Sequence, residues 1–221
     1  MEDFRIKYRP KTLDEVWGQD HVKMIWSGYL RKGYFPRSII LSSNYGMGKT
    51  TLAHIFAKDI IRCDGEPIFC EDFVEYNSPT CDFVNVHKTI INLRQYVMKP
   101  RVLFFDEAHR MPDKAQDGFL TTIENTSSLT FIFATTDINK MDMGLRQRSD
   151  KYRLEPPSKE ILTKELSRIS KLENIRIGQD VLDHLIDFSG YSPRECLGNL
   201  QILSQWDGVI DMRVTKTLLV K

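Results

Sequence analysis

The sequence predicts an α/β domain built on a doubly wound parallel sheet, followed by a small all-helical domain. Three observations carry the prediction. A glycine-bearing loop, Ser42-Ser43-Asn44-Tyr45-Gly46-Met47-Gly48-Lys49-Thr50-Thr51, stands between the apolar run Ser38-Ile39-Ile40-Leu41 and a helix-like pattern over residues 51–58. Two further short runs, Arg101-Val102-Leu103-Phe104-Phe105 and residues 129–136, are largely apolar without alternation, as strands covered on both faces should be. Beyond Pro156-Pro157-Ser158 the pattern changes to three amphipathic helices, over residues 159–173, 180–189 and 194–206. Strands alternating with helices specify a parallel sheet with ligands outside the carboxyl ends of its strands. The division is therefore expected at residues 1–155 and 156–221.

Taken in order, Arg5-Ile6-Lys7-Tyr8-Arg9-Pro10 reads as an extended basic and aromatic opening, because Pro10 turns Arg9 away from helix. Thr12 or Asp14 caps a short turn. A helix follows over residues 19–30, with Val22, Ile25, Trp26 and Tyr29 on one side. The loop and its flanking strand and helix come next. Residues 63–70, with Asp64-Gly65 and Pro67, form a turn-rich connection to a second strand, Phe73-Val74-Glu75-Tyr76-Asn77, closed by Ser78-Pro79. Residues 83–97 fit a helix better than alternation. A helix with Phe119, Leu120 and Ile123 joins the two apolar runs.

The loop has the chemistry of a phosphate cradle. Gly46 and Gly48 let the backbone curl so that successive N–H groups point at one anion, and the helix that follows favours the same charge. The candidate nucleotide-binding residues are Asn44, Tyr45, Gly46, Met47, Gly48, Lys49, Thr50 and Thr51. Lys49 reaches the β- and γ-phosphates, and the Thr50 hydroxyl joins a Mg²⁺ shell. The first glycine of the usual G-x-x-x-x-G-K-[ST] pattern is Ser43 here, a turn expected to carry some strain. The apolar run at 101–105 ends in Asp106-Glu107-Ala108-His109. Asp106 at the tip of a buried strand is placed to hold Mg²⁺, and Glu107 to orient and polarise an attacking water. Asp-Glu-Ala-His also marks a helicase class, but other helicase motifs are not apparent, and two tandem recombinase-like cores do not fit 221 residues.

Thirty-one basic against thirty acidic residues give a formal net charge of +1, which predicts neither a general nucleic-acid affinity nor a membrane one. The charged opening Met1-Glu2-Asp3-Phe4-Arg5 is not a signal peptide, and no apolar run approaches membrane-spanning length. The four cysteines do not form a secreted-type framework. The expectation is a soluble intracellular protein.

The segment Lys7-Tyr8-Arg9-Pro10-Lys11-Thr12-Leu13-Asp14-Glu15-Val16-Trp17-Gly18-Gln19 resembles the opening signature of AAA+ sliding-clamp loader subunits. These are the replication factor C small subunits, the bacterial DNA polymerase III tau/gamma subunit and phage loader ATPases. The resemblance continues in family order through Phe73–Asn77, Asp106–His109, Phe133-Ala134-Thr135-Thr136-Asp137, Leu145-Arg146-Gln147-Arg148-Ser149 and Gly190-Tyr191-Ser192-Pro193-Arg194-Glu195. It implies an AAA+ P-loop NTPase fold with a helical lid, ATP and Mg²⁺ as ligands, and catalytic roles for Lys49 and Glu107. It implies that Thr136 is the sensor 1 residue and that Arg148 is an arginine finger reaching a neighbouring subunit's nucleotide. Arg194 resembles the sensor 2 arginine that brings the lid over the phosphates. Tyr8, Arg9, Pro10 and Val16 resemble the segment bordering the adenine, and Asn77 the strand-end residue that holds the catalytic glutamate inactive until DNA binds.

The implied partners are other loader subunits in a ring, a sliding clamp and primer–template DNA, with phosphate contacts from Lys88, Arg110 and Lys114. Two departures stand out. Bacterial loader subunits carry a four-cysteine zinc module after the P-loop helix. Here Cys63, Cys70 and Cys81 lack its spacing, so no zinc is expected. The family also continues into a helical collar domain beyond the lid, so either this chain is a fragment or its ring is held by another route. Another AAA+ machine, such as a helicase loader or branch-migration motor, remains an alternative. So does a nucleotide-binding scaffold without turnover.

Overall fold

The computed structural model describes residues 2–62, 71–78, 100–126 and 128–220, with the side chains of Asp113, Lys114 and Asp117 outside that description. In chain order the elements are α1 (Phe4–Lys7), α2 (Asp20–Lys32), β1 (Ser38–Ser42), α3 (Lys49–Ile61), β2 (Phe73–Asn77) and β3 (Arg101–Asp106). Then come α4 (Asp113–Asn125), β4 (Leu129–Thr135), α5 (Met143–Gln147), β5 (Asp150–Arg153), α6 (Lys159–Leu172), α7 (Gln179–Phe188), α8 (Pro193–Leu203) and α9 (Met212–Leu218). Two compact units are formed, a sheet unit of His21–Asn44 and Lys49–Leu154, and a helical unit of Met1–Asp20, Tyr45–Gly48 and Glu155–Lys221. The helix expected over 83–97 and the connection over 63–70 lie outside the described residues, as does Pro79.

In the sheet unit five parallel strands run in the order β2-β3-β4-β1-β5. All seven residues of β4 are buried, and so are the four central residues of β3. That explains their unbroken apolar runs, because interior parallel strands meet apolar side chains on both faces. The edge strand β2 differs: Val74 and Tyr76 pack toward the core from one face, while the other face buries Phe73 and exposes Glu75 and Asn77. On one face Phe119 of α4 packs edge-on against Phe105, 4.9 Å between ring centroids, in a cluster with Phe131, Phe133 and Leu103. The register pairs Ser42 with Thr135 and Asn77 with Asp106, which levels the carboxyl ends of the strands.

Helix α2 turns Val22 and Trp26 inward, an i,i+4 pair, while Ile25 is 45% exposed. The expectation for Ile25 is therefore corrected; it sits a helical step off the buried stripe. The Trp26 ring stacks on Phe56, and its Nε1–H donates to Asp59 Oδ2 at 2.7 Å. Burial raises the Asp59 carboxyl above its ordinary range, and the Trp26 donor pulls it partly back. Trp26→Phe leaves that carboxylate without its donor, at an expected cost of about 1–3 kcal/mol at neutral pH. The sign follows from linkage. A carboxyl whose folded pKa is raised takes up its proton more readily when folded, so its ionised form destabilises the native state. The variant's folded pKa rises further, and the stability gap to the parent narrows as pH falls through the raised value toward 3.8. Denaturant unfolding at neutral and acidic pH reads this directly; a gap independent of pH would rule out the Asp59 account.

In the helical unit, Leu162, Leu166 and Ile169 of α6 line up at i, i+4 and i+7 against Leu182, Leu185 and Ile186 of α7 and Leu197 and Leu200 of α8. Ser158, Ser192 and Asp211 cap α6, α8 and α9 through their side-chain oxygens. The short α9 is absent from the sequence expectation, which stopped at Trp206. The extended opening is also corrected, since residues Phe4–Lys7 form a helical turn. Asp3 caps it by accepting from the Arg5 N–H at 2.9 Å, and Phe4 is fully buried in the helical core. The constraint from Pro10 acts on Arg9 alone and does not reach this turn. Cys196 is buried in the same core, where burial pushes its thiol up to about 11.

Among the described residues no helix is long and apolar enough to cross a membrane.

Candidate nucleotide-binding and hydrolysis site

Within the sheet unit, the carboxyl ends of β1, β3 and β4 converge on one group of polar side chains. Lys49 at the start of α3 is buried, and its Nζ donates to the carbonyls of Ser43 and Asn44, both at 2.9 Å, and to Ser43 Oγ at 3.3 Å. Ser43 is not among the residues with positive φ, so the strain expected at this substituted glycine is not found. Its N–H donates instead to the Thr135 carbonyl at 3.2 Å, joining the loop to the end of β4. The positive φ values fall on Gly46 and Gly48, at 76° and 92°, where glycine is cheapest.

Thr50 donates its hydroxyl to Asp106 Oδ2 at 3.1 Å, while Asp106 Oδ1 accepts from the Glu107 N–H at 2.9 Å. That second bond fixes the carboxylate plane and leaves Oδ2 beside the Thr50 hydroxyl. One hydroxyl and one carboxylate suit Mg²⁺, which keeps waters and takes substrate phosphate oxygens in its shell rather than an all-protein cage. No group of three or more His, Cys, Asp and Glu side chains forms a cation site among the described residues. Cys63, Cys70 and Cys81, on which the zinc expectation rests, lie outside them. Glu107 adopts a left-handed conformation, φ 52° and ψ 43°, at the entry to a 3₁₀ turn over Ala108–Arg110. Its Oε2 is buried with no hydrogen-bond partner among the described residues, 3.7 Å from His109 Nε2.

In the helical unit, the loop residues Tyr45–Gly48 sit beside the start of α8. A Cβ on Gly46 would lie 2.2 Å from Ser192 Oγ and 3.4 Å from Arg194 Cβ, so this approach needs glycine. Arg194 is exposed and makes no ion pair among the described residues. Met47 is buried, and Tyr45 is 62% exposed. Tyr8 packs on the helical core, and its hydroxyl donates to the Glu173 carboxylate, which also takes Lys7 Nζ at 2.6 Å. These bonds, that from Lys7 first, hold the Glu173 carboxyl below its usual range. Arg9, Pro10 and Val16 are half-buried in the same unit.

The remaining expected residues that are described lie in the sheet unit. Arg148 terminates α5 and pairs through Nε with Glu124 Oε1 at 2.6 Å. Asn77 ends β2, exposed, in register with Asp106. Thr136 lies one residue beyond β4, half-buried, whereas the strand was expected to include it. Arg110 is exposed at the end of the 3₁₀ turn, and Lys114 lies in the first turn of α4 with its side chain outside the described residues. Lys88 lies outside them altogether. Sequence reasoning assigned nothing to Thr135 or His109, whose Oγ1 and Nδ1 are 3.1 Å apart. The signals were present: a doubled threonine at a strand end, and a histidine two residues past the acidic pair.

A parallel sheet whose first strand runs through a glycine loop into a helix defines a P-loop nucleoside-triphosphatase fold. The chain belongs to the ATPase family associated with various cellular activities (AAA), whose model matches residues 39–156. It is 31% identical over 224 residues to the replication factor C small subunit of Archaeoglobus fulgidus, covering 96% of this chain and 67% of that protein. It is 27% identical over 231 residues to the DNA polymerase III subunit gamma/tau of Mycoplasma genitalium, covering 96% of this chain and 39% of that one. Among solved structures, the Thermotoga maritima RuvB Holliday junction branch migration motor shares the fold, with a TM-score of 0.77 at 22% identity over 96% of this chain and 72% of that one. The resemblance to clamp-loader ATPase subunits drawn from the sequence is borne out by the first two.

Proposed function

We propose that the chain is an ATPase subunit of a sliding-clamp loader, acting inside the cell in the cytoplasm or with the nucleoid. It binds ATP with Mg²⁺, closes with neighbouring loader subunits around a clamp and primer–template DNA, and hydrolyses ATP to let go. One observation carries the reading: Thr50 and Asp106 meet at 3.1 Å with Glu107 next in the chain, in a sequence 31% identical to a replication factor C small subunit. Residues 1–155 serve as the nucleotide-binding domain and residues 156–221 as its lid.

Each residue then has a task. Loop amides from Asn44 to Thr51 and the Lys49 ammonium bind the phosphate oxygens, Lys49 exchanging its carbonyl partners for them. Thr50 and Asp106 hold Mg²⁺, which offsets charge on the transferring phosphoryl group when bound. Glu107 accepts a proton from the attacking water, and Thr136 hydrogen-bonds that water or the γ-phosphate. Arg148 stabilises the transition state in a neighbouring subunit, and Arg194 reports the phosphates to the lid of its own. Tyr8, Arg9, Pro10 and Val16 border the adenine, and Asn77 restrains Glu107 until DNA is engaged. Lys88, Arg110 and Lys114 track duplex phosphates.

The test is the ATP turnover of the natural assembly with and without primed DNA and clamp. Stimulation by both is expected, and turnover indifferent to both would exclude a loader. Replacing Lys88 and Lys114 together by Ala should weaken DNA binding alike for all sequences. It should also reduce the slope of log affinity against log salt by about 2. An unchanged slope would move the DNA surface elsewhere.

A further inference from the structure

We infer that His109 is a positioning residue for hydrolysis, tying the Glu107 carboxylate to the end of β4 and, through it, to the phosphate loop. The inference rests on the reading of Glu107 as the group that activates water.

The argument starts at Thr135. Its side chain is fully buried, and its Oγ1 accepts from the Asp137 N–H at 3.0 Å. A hydroxyl has one proton of its own to place, and His109 Nδ1 stands 3.1 Å away as its acceptor. With Nδ1 accepting, the ring's own proton is assigned to Nε2. That N–H lies toward Glu107 Oε2, 3.7 Å off, and this oxygen is buried with no hydrogen-bond partner among the described residues. A buried carboxylate oxygen without a donor is costly. At 3.7 Å the contact is short of a hydrogen bond, but bonds of catalytic groups tighten as the reacting complex forms.

The backbone supports the same pairing. Glu107 sits at φ 52°, a left-handed conformation that residues other than glycine seldom adopt. It opens the 3₁₀ turn that carries His109 back beside it. The His109 side chain is only 10% exposed, so its ring has little room to swing away. Thr135 also accepts the Ser43 N–H on its carbonyl. One residue at the end of β4 therefore contacts the phosphate loop through its backbone and Glu107's neighbour through its side chain. Held at Oε2 by His109, Glu107 has Oε1 left to take the proton of water.

Steady-state ATP turnover and nucleotide affinity of the full chain in its assembly test this, with Glu107→Gln as the control. His109→Ala should lower kcat by about 10–100-fold, the scale of an ångström's misplacement, with KM for ATP and the melting temperature nearly unchanged. His109→Gln places an N–H near the position of Nε2 and should recover most of the loss. His109→Asn reaches only as far as Nδ1 and should stay slow. Thr135→Val should slow turnover as well, and the Thr135→Val/His109→Ala pair should be no slower than His109→Ala alone. An inactive Glu107→Gln beside a fast His109→Ala would overturn the inference alone. So would equal rates for the Gln and Asn variants, or a fall in kcat matched by lost affinity and stability. Full turnover in Glu107→Gln would remove the underlying reading of Glu107 together with it.

Discussion

Replacing Glu107 with Gln is expected to leave ATP binding intact and to lower turnover by about 10²–10⁴-fold, the range of general-base catalysis. The substitution keeps length and shape, so the turn at φ 52° and the bond from its N–H to Asp106 are retained. The Thr50–Asp106 contact, which does not involve the side chain, is retained too. What is lost is basicity, since an amide oxygen cannot take a proton from water. Lys49→Ala should behave in the opposite manner and weaken binding itself, because Lys49 is the cation held at the mouth of the loop. Nucleotide titration and phosphate release, measured on the same preparations, separate the two effects. Turnover near the parental rate in Glu107→Gln would take the catalytic role away from this carboxylate.

Arg148→Ala is expected to reduce hydrolysis by the assembly by about 10³–10⁵-fold, the worth of arginine fingers where they act, while an isolated subunit binds nucleotide as before. The structure makes such a role inexpensive. Arg148 is paired with Glu124, but the two side chains are 39% and 54% exposed, and a surface pair of this kind is worth about 0–1 kcal/mol. Leaving Glu124 for a neighbour's phosphate therefore costs little beside the stabilisation it would deliver. Mixing Arg148→Ala subunits with Lys49→Ala subunits should restore some turnover, because one supplies the working site and the other the finger. Should a monomeric preparation hydrolyse ATP as fast as the assembly, with Arg148→Ala changing neither, the chain would be a self-contained ATPase.

The sheet was legible because its interior strands have no polar face to confuse the reading. Runs such as Arg101–Phe105 name themselves, and the glycine loop fixes which strand comes first. The residues around Thr50, Asp106 and Glu107 were legible because spacing and chemistry agree there. Three things were not. The turn at Phe4–Lys7 is made by a cap at Asp3 and by burial of Phe4 against helices more than 150 residues further on, which no local pattern carries. Ser43 was expected to be strained by comparison with glycine, yet its backbone needs no left-handed conformation. The His109–Thr135 contact joins residues 26 apart in the chain, and only the adjacency of β3 and β4 brings them together. Local rules see caps, periods and turns; they do not see which strand ends become neighbours.

The strand order has a consequence for how the chain acquires its shape as it is made. The strand that leads into the phosphate loop is β1, and it pairs with nothing near it in sequence: Ser38 meets Phe131 and Ile39 meets Asp150. During N-to-C synthesis the loop at residues 42–51 is thus made well before the strands that brace it. Its Ser43 N–H has no Thr135 carbonyl to meet until β4 exists, and β1 remains a bare apolar edge until then. Non-local parallel pairings of this kind are slow to close and leave such edges open to other chains meanwhile. The arrangement that brings three strand ends to one point in the finished protein is the same one that delays its completion, so a nascent chain ending before β4 holds the whole glycine loop in sequence and lacks the support that orders it.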